Sequence, residues 1–412
     1  MARTSRTALL GVAALASLAL AACGKSRSAN PVASTPTSAP PTGPPITVGL
    51  INTENAPLGS FPELGRGVQA AIRYVDEHLG GVAGRPLQVV PCITAGTPES
   101  SQACANTLAL KSPVAVIGGI DLSASASIPV LAKAGIPYVT GSPTVLEELD
   151  ATGSYALTAG QGGDILGEAD YVINTFKPNR IAVVYPDLPG LLNDATQAAS
   201  NVLRAKGIAS KLVAVKPDAA DLAPALTAAM ASNPDVLFGI FPAQGCARLM
   251  QARQALGVSV KTFYLGACAE QSVIQAAGPA ADQAYFASAY LPPTASVDPD
   301  VSSYDAAMRS YDGQDAKASE LAQAGFADVM NIRFLLGEAG TTPTASVLGN
   351  LLHTARDHRN FMAHAFTCDG QQAPPFNAVC NAEVRILQYH AGTFSDLSGA
   401  WVTGADLLKL AG

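Results

Sequence analysis

Short apolar runs alternate with amphipathic stretches from residue 46 to residue 141, and the same alternation begins again at residue 180. "ITVGLI" (46–51), "PLQVVP" (86–91), "VAVIGG" (114–119) and "IPYVTG" (136–141) are apolar almost throughout, the pattern of strands covered on both faces. Between them, "ELGRGVQAAIRYVDEHLGG" (63–81) puts Val68, Ala71, Ile72 and Val75 on one helical face and stops at Gly80-Gly81. "ESSQACANTLAL" (99–110) and "SIPVLAKA" (127–134) read as the next helices. Strands joined through helices require a parallel sheet layered on both sides. The second set comprises strands at 180–185, 211–215, 235–241 and 261–266, with helices at 193–207 and 247–257. Two successive α/β sets predict two lobes of similar kind. Beyond "YFASAYLPP" (285–293) the chain turns mostly helical to about residue 356, and a short strand, "EVRILQY" (383–389), closes it.

With 412 residues, 48% hydrophobic and 14% charged, the chain can build the core that two domains need. Its formal net charge of −7 argues against a nucleic-acid partner, which needs a basic face. The first residues indicate export. Arg3 and Arg6 precede an uncharged run, Ala8 to Ala22, too short to span a bilayer comfortably. "LAAC" (20–23) then resembles a bacterial lipobox, which implies removal of residues 1–22 and a lipid on Cys23. The adjoining "CGKS" mimics the end of a phosphate loop but lacks the required glycine upstream, where Ala19 stands. Residues 23–45 are rich in Ser, Pro and Thr and form a lipid-anchored tether to the body. Six cysteines remain: Cys92, Cys104, Cys246, Cys268, Cys368 and Cys380. In an exported chain an even set predicts disulfides, but fifteen connectivities are open. Pairing nearest neighbours gives 92–104, 246–268 and 368–380.

The order of elements resembles the type I periplasmic binding proteins, in particular the branched-chain-amino-acid-binding group that feeds ABC importers. The resemblance runs over about residues 46–390. It is carried by "VGLINTENAP…GRGVQAAIRYVDEHLGGVAGRPLQVV", "VAVIGGIDLSASASIPVLAKAGIPYVTGSPT", "PNRIAVVY" and "VLFGIFPAQGCARLMQARQALG". It implies an α/β fold of two Rossmann-like lobes with parallel sheets joined by three crossovers. Lobe 1 would comprise 46–160 plus 291–367, and lobe 2 would comprise 161–290 plus 368–412. The implied function is capture of a small polar ligand, an amino acid or related carboxylate or amide, between the lobes. Delivery to an ABC permease would follow, from a monomer anchored by lipid on the outer face of the membrane.

The ligand contacts follow from strand ends, helix N-termini and the resemblance. In "GGIDLSASASIPV" (118–130) a strand ends and a helix begins amid serines, and free N–H groups at a helix start suit a carboxylate. The resemblance assigns that carboxylate to Ser123 and Ser125, with Ser142, Pro143 and Thr144 as the second contact loop. Asp121 either meets a ligand amine or serves its own turn. Phe61 is either an apolar wall or a staple for the helix after it. In lobe 2 the tyrosines expected from the resemblance are absent. Gln244 and Asp187 are the polar residues in their places; the glutamate expected after 261–266 falls near Cys268, with Glu270 two places on, and Glu270 or Asp121 must supply any charge for an amine. The runner-up expectation is a sensor of the same fold acting through a membrane partner. An enzyme is less consistent, since no GxSxG, HExxH or complete phosphate loop occurs. No cofactor or metal is expected, since His353, His358 and His364 do not stack on one helical face.

Overall fold

The computed structural model describes residues 38–56, 59–187, 191–292, 295, 297–312, 319–340 and 343–410. The leader, Cys23 and most of the tether lie outside the described residues. A first sheet holds five parallel strands, β1 (Ile46–Thr53), β2 (Leu87–Thr94), β3 (Val116–Gly118), β4 (Tyr138–Thr140) and β5 (Ser154–Ala156), in the order β2-β1-β3-β4-β5. β1 is buried at seven of its eight positions, as its unbroken apolar run requires. Val48 and Leu50 face one layer, formed by α1 (Pro62–His78) and later helices, while Ile51 faces α2 (Pro98–Ala109) and α3 (Ala124–Lys133). α4 (Leu146–Asp150) lies between β4 and β5.

The chain then crosses into α5 (Gly160–Phe176) and a second sheet. Its parallel strands are β6 (Arg180–Pro186), β7 (Ala209–Val215), β8 (Val236–Gly239), β9 (Lys261–Tyr264) and β10 (Ala284–Ser288). α6 (Leu191–Ala205), α7 (Ala223–Met230), α8 (Ala243–Ala255) and α9 (Gln271–Ala277) connect them. A second crossover returns the chain to the first lobe. There α10 (Pro299–Tyr311), α11 (Glu320–Glu338) and α12 (Ala345–Thr354) contribute Met308, Leu336 and Leu352 to the core that holds Leu50 and Val68. A third crossover leads to β11 (Glu383–His390), which pairs antiparallel with β10, and then to β12 (Thr393–Asp396) and β13 (Val402–Thr403). The first and third crossovers run side by side: the Ala156 N–H donates to the Ala378 carbonyl at 2.9 Å and the Cys380 N–H to the Ala156 carbonyl at 2.8 Å.

The disulfides are Cys92–Cys104, Cys246–Cys268 and Cys368–Cys380, so each cysteine takes its nearest neighbour in sequence. The first ties β2 to α2, the second ties α8 to the 3-10 turn Gly266–Ala269, and the third pins the last crossover. Closing a loop of this size contributes about 3 kcal/mol in the chain-entropy account. Several elements were absent from the expectations drawn on sequence, including the helices α4, α5, α7 and α9. β5 spans three residues, too few for a periodicity to register, and β12 and β13, which each pair with β11, are short and mostly polar.

α1 and α11 cross at van der Waals contact because both carry glycine at the crossing. A Cβ on Gly67 would lie 2.1 Å from the Ala322 carbonyl oxygen, and one on Gly325 would lie 2.3 Å from that of Leu64. Backbone cannot yield there as a side-chain tip could. Gly67→Ala and Gly325→Ala are each expected to lower the unfolding free energy by about 1–3 kcal/mol in urea titrations. Gly337→Ala, with open space around it, should leave stability unchanged or slightly higher.

Candidate functional site

In the first sheet the strand order reverses between β1 and β3, and in the second between β6 and β8. Such switch points open a crevice outside the carboxyl ends of the strands. In the first lobe that crevice lies between the loops after β1 and β3, and Asn52 knits the two together. Its buried amide donates to Phe61 O at 2.8 Å and to Glu54 Oε1 at 3.0 Å, and its oxygen accepts from the Ile120 N–H at 3.0 Å.

The structure separates the sequence-derived candidates whose polar atoms are taken up inside the lobe from those left exposed or half-buried on the loops. Asp121 is fully buried; Ser101 and Ser127 each donate a hydroxyl to it at 2.6 Å, and the Ser123 N–H donates at 3.3 Å. It therefore holds the loop in place, and its burial raises its pKa. Ser123 precedes α3 and donates its hydroxyl inward to the Gly96 carbonyl at 3.0 Å. Thr144 gives its N–H at 2.6 Å and its hydroxyl at 3.2 Å to Glu148 Oε2, so neither donor is free for a ligand. Ser125, by contrast, is exposed on the first turn of α3, and Ser142 is half-buried beside buried Pro143. Phe61 sits half-buried at the start of α1, packed on the lobe 1 core. Across the crevice Asp187 is exposed at the end of β6 and accepts from Asn193 at 3.3 Å. Gln244 lies in the first turn of α8, and its side chain is outside the described residues.

Glu270, just before α9, is half-buried and meets the other lobe. It accepts weakly from the Ser319 hydroxyl at 3.4 Å, ahead of α11. Burial, with the charges of Glu63 and Glu320 nearby, pushes its pKa up to about 7. Glu63 has Arg66 within 3.5 Å, whereas among the described residues no ion pair is formed by Glu270 or Glu320. Glu320 accepts from the Ser288 hydroxyl and the Ala289 N–H, and burial pushes it to about 7 as well.

Sequence reasoning missed a further set of buried carboxylates around this junction. Asp164 accepts from the Gly266 N–H, Glu168 from the Ala287 N–H, and Asp328 from the Gly141 N–H. All are raised by burial, and one oxygen of Asp164 and one of Asp328 have no hydrogen-bond partner among the described residues. The signal was present: Asp164 and Glu168 are four apart on a helix face shared with Ile165, Ala169 and Val172. Among the described residues no group of His, Cys, Asp and Glu is arranged to hold a metal ion.

The sequence profile of a family described as "Periplasmic binding protein" matches residues 45–379. Solved structures share the fold at low identity. The leucine binding protein LivK of Thermotoga maritima is 17% identical, with a TM-score of 0.71, over 88% of this chain and 99% of its own. LivJ of Streptococcus pneumoniae, a branched-chain amino acid transporter substrate binding protein in complex with isoleucine, is 15% identical, with a TM-score of 0.69, over 87% and 99%. A fatty acid ABC transporter substrate-binding protein of Thermomonospora curvata is 15% identical, with a TM-score of 0.72, over 90% and 95%. No curated protein matches the sequence.

The buried acids set a direction for pH dependence. Glu148 is fully buried and raised to about 8, while Glu320 is raised to about 7. A carboxyl whose folded pKa exceeds its unfolded value stabilises the fold fully below the unfolded value, and that stabilisation is lost as pH rises through the folded one. The melting temperature is expected to fall by roughly 5–10 °C between pH 5 and pH 8.5, then level off. Glu148→Gln, which cannot ionise, should flatten that slope in calorimetric scans.

Proposed function

The chain belongs to the periplasmic binding protein family, and on that premise we propose that it captures a small zwitterionic ligand outside the cytoplasm and delivers it to an ABC importer. The observation that supports this reading is Glu270: a half-buried carboxylate at the lobe junction, beside two other acids and without a basic partner of its own. A ligand ammonium placed there supplies the missing countercharge. The ligand carboxylate then falls to the first lobe, to the hydroxyls of Ser125 and Ser142 and the first N–H groups of α3. Asp121, Ser123 and Thr144 act one layer further in, as the groups that shape those loops. Phe61 walls the first lobe, and Asp187 and Gln244 border the second.

Open and closed forms differ in how many of these groups reach the ligand at once, so binding shifts the population toward closure. The closed monomer presents both lobe edges to a permease, and a lipid on Cys23 holds it at the membrane. The protein carries out no covalent chemistry. One observation favours a ligand with an apolar chain as a second reading. A cavity of about 250 Å³, lined by Leu149, Leu166, Phe376 and Leu408, opens between α4, α5 and α6. Octanoate raising the melting temperature where leucine does not would select that reading.

With the ligand found by a thermal-shift screen of amino acids and small carboxylates, Glu270→Gln is expected to weaken calorimetric binding more than tenfold, about 1.4 kcal/mol. The double variant Ser125→Ala with Ser142→Ala should lose a similar factor. Because Glu270 sits near pH 7 when empty, binding an ammonium should release a proton and tighten between pH 6 and pH 8. Affinity unchanged in both variants would remove the zwitterion clamp.

A further inference from the structure

A cavity stands away from the crevice, at the opposite end of the first lobe. The turn 81–83 ahead of β2, the last turns of α11 and residues 351–359 enclose about 730 Å³. Its charged lining is Arg333, Arg356, His358 and Arg359 with Glu338 and Asp357. Most of these groups are committed. Glu338 lies 3.0 Å from His358 Nε2, Arg359 pairs with Asp300, and Arg356 donates to the carbonyls of His353, Ala355 and Cys368. Arg333 is not. It forms no ion pair, its Nε is buried with no hydrogen-bond partner among the described residues, and the like charge of Arg359 lies near it. Half-burial presses its pKa down, Tyr74 partly offsets this, and Arg359 adds to the lowering. The lining sets three arginines against Glu338 and Asp357, with Asp300 paired to Arg359, and Arg333 is the arginine there without an ion-pair or hydrogen-bond partner among the described residues.

We propose that this cavity binds a phosphate-type oxyanion through Arg333, with Arg359 beside it. A guanidinium fork matches a tetrahedral oxyanion in geometry, and such an anion supplies the countercharge that Arg333 lacks, while its remaining oxygens reach Arg359 beside the Asp300 pair. Arg359 is held for this by stacking on the Phe334 ring, 4.3 Å from its centroid. The same end of the lobe receives the tether. Thr42 and Gly43 donate their N–H groups to the Gly84 carbonyl, and Arg85 Nε donates to the Pro44 carbonyl at 2.8 Å. Cys23 stands fifteen residues before Ser38. Such a length extends at most about 50 Å. If Cys23 is lipidated, as proposed above, the cavity is within tether reach of phospholipid headgroups. Soluble phosphate is the other source of the same chemistry.

The test is calorimetric titration of the full chain in neutral detergent with two soluble probes. Sodium phosphate represents the free anion, and glycerophosphoglycerol represents a phosphodiester headgroup without its acyl chains. Saturable binding of either probe is expected, weakened at least tenfold by Arg333→Gln and retained within a few fold by Arg333→Lys. Preference for glycerophosphoglycerol identifies the headgroup as the source, and preference for phosphate identifies the soluble anion. Arg359→Gln is a second variant with an expected loss in the same direction, should Arg333→Gln fold poorly. Absence of saturable binding by both probes, or binding indifferent to these arginines, overturns the proposal. Neither outcome bears on the crevice, whose ligand is read separately in the same preparations.

Discussion

Backbone N–H groups at the loops of this protein are held by buried carboxylates, and the shape of the crevice depends on that interaction. Glu148 receives the N–H groups of Thr144 and Val145, and Asp121 receives that of Ser123. Asp164, Glu168, Glu320 and Asp328 do the same for Gly266, Ala287, Ala289 and Gly141. Loops beyond strand ends leave donors that no sheet satisfies, and an unmet buried donor costs as much as a lost hydrogen bond. A carboxylate one layer in offers about four acceptor positions, against two for a hydroxyl or a carbonyl oxygen. The cost is desolvation, visible in the raised pKa of every one of these acids. The gain is a set of loops fixed before any ligand arrives.

This arrangement explains why the site was only partly legible in the sequence. The sheets, the two-lobe plan and the major helices follow from periodicity, because burial on both faces writes itself as unbroken Val, Ile and Leu. The serine-rich run after β3 was recognisable as a loop with work to do, but its members divide between two tasks. Ser127, together with Ser101 from α2, serves Asp121, Ser123 serves Gly96, and Ser125 is left exposed. One residue along a chain that turns at a helix start reverses which way a hydroxyl points, and spacing alone does not resolve that. The partner of Thr144 was hidden for a related reason: the acceptor of its donors, Glu148, stands four residues later in a helix of five residues.

The crossovers carry the other constraint on function. Gly160 opens α5 with φ of 53°, and a Cβ there would meet the Pro143 carbonyl at 2.5 Å, so the first crossover tolerates only glycine beside the second contact loop. The third crossover is tied to the first by backbone hydrogen bonds and closed by Cys368–Cys380. Lobe movement must therefore be taken up within a few residues on each connection, which favours rotation of intact lobes over remodelling of either. Charge follows the same plan, with acids gathered at the lobe junction and an unpaired arginine at the far end of lobe 1.

The most direct test of this account is a crystal structure of the full chain with the tightest small molecule recovered from a screen. The account predicts a zwitterion between the lobes, its ammonium within hydrogen-bond distance of Glu270 and its carboxylate against Ser125 and Ser142. A ligand lodged outside the crevice, or one seated there with Glu270 turned away from it, would contradict it.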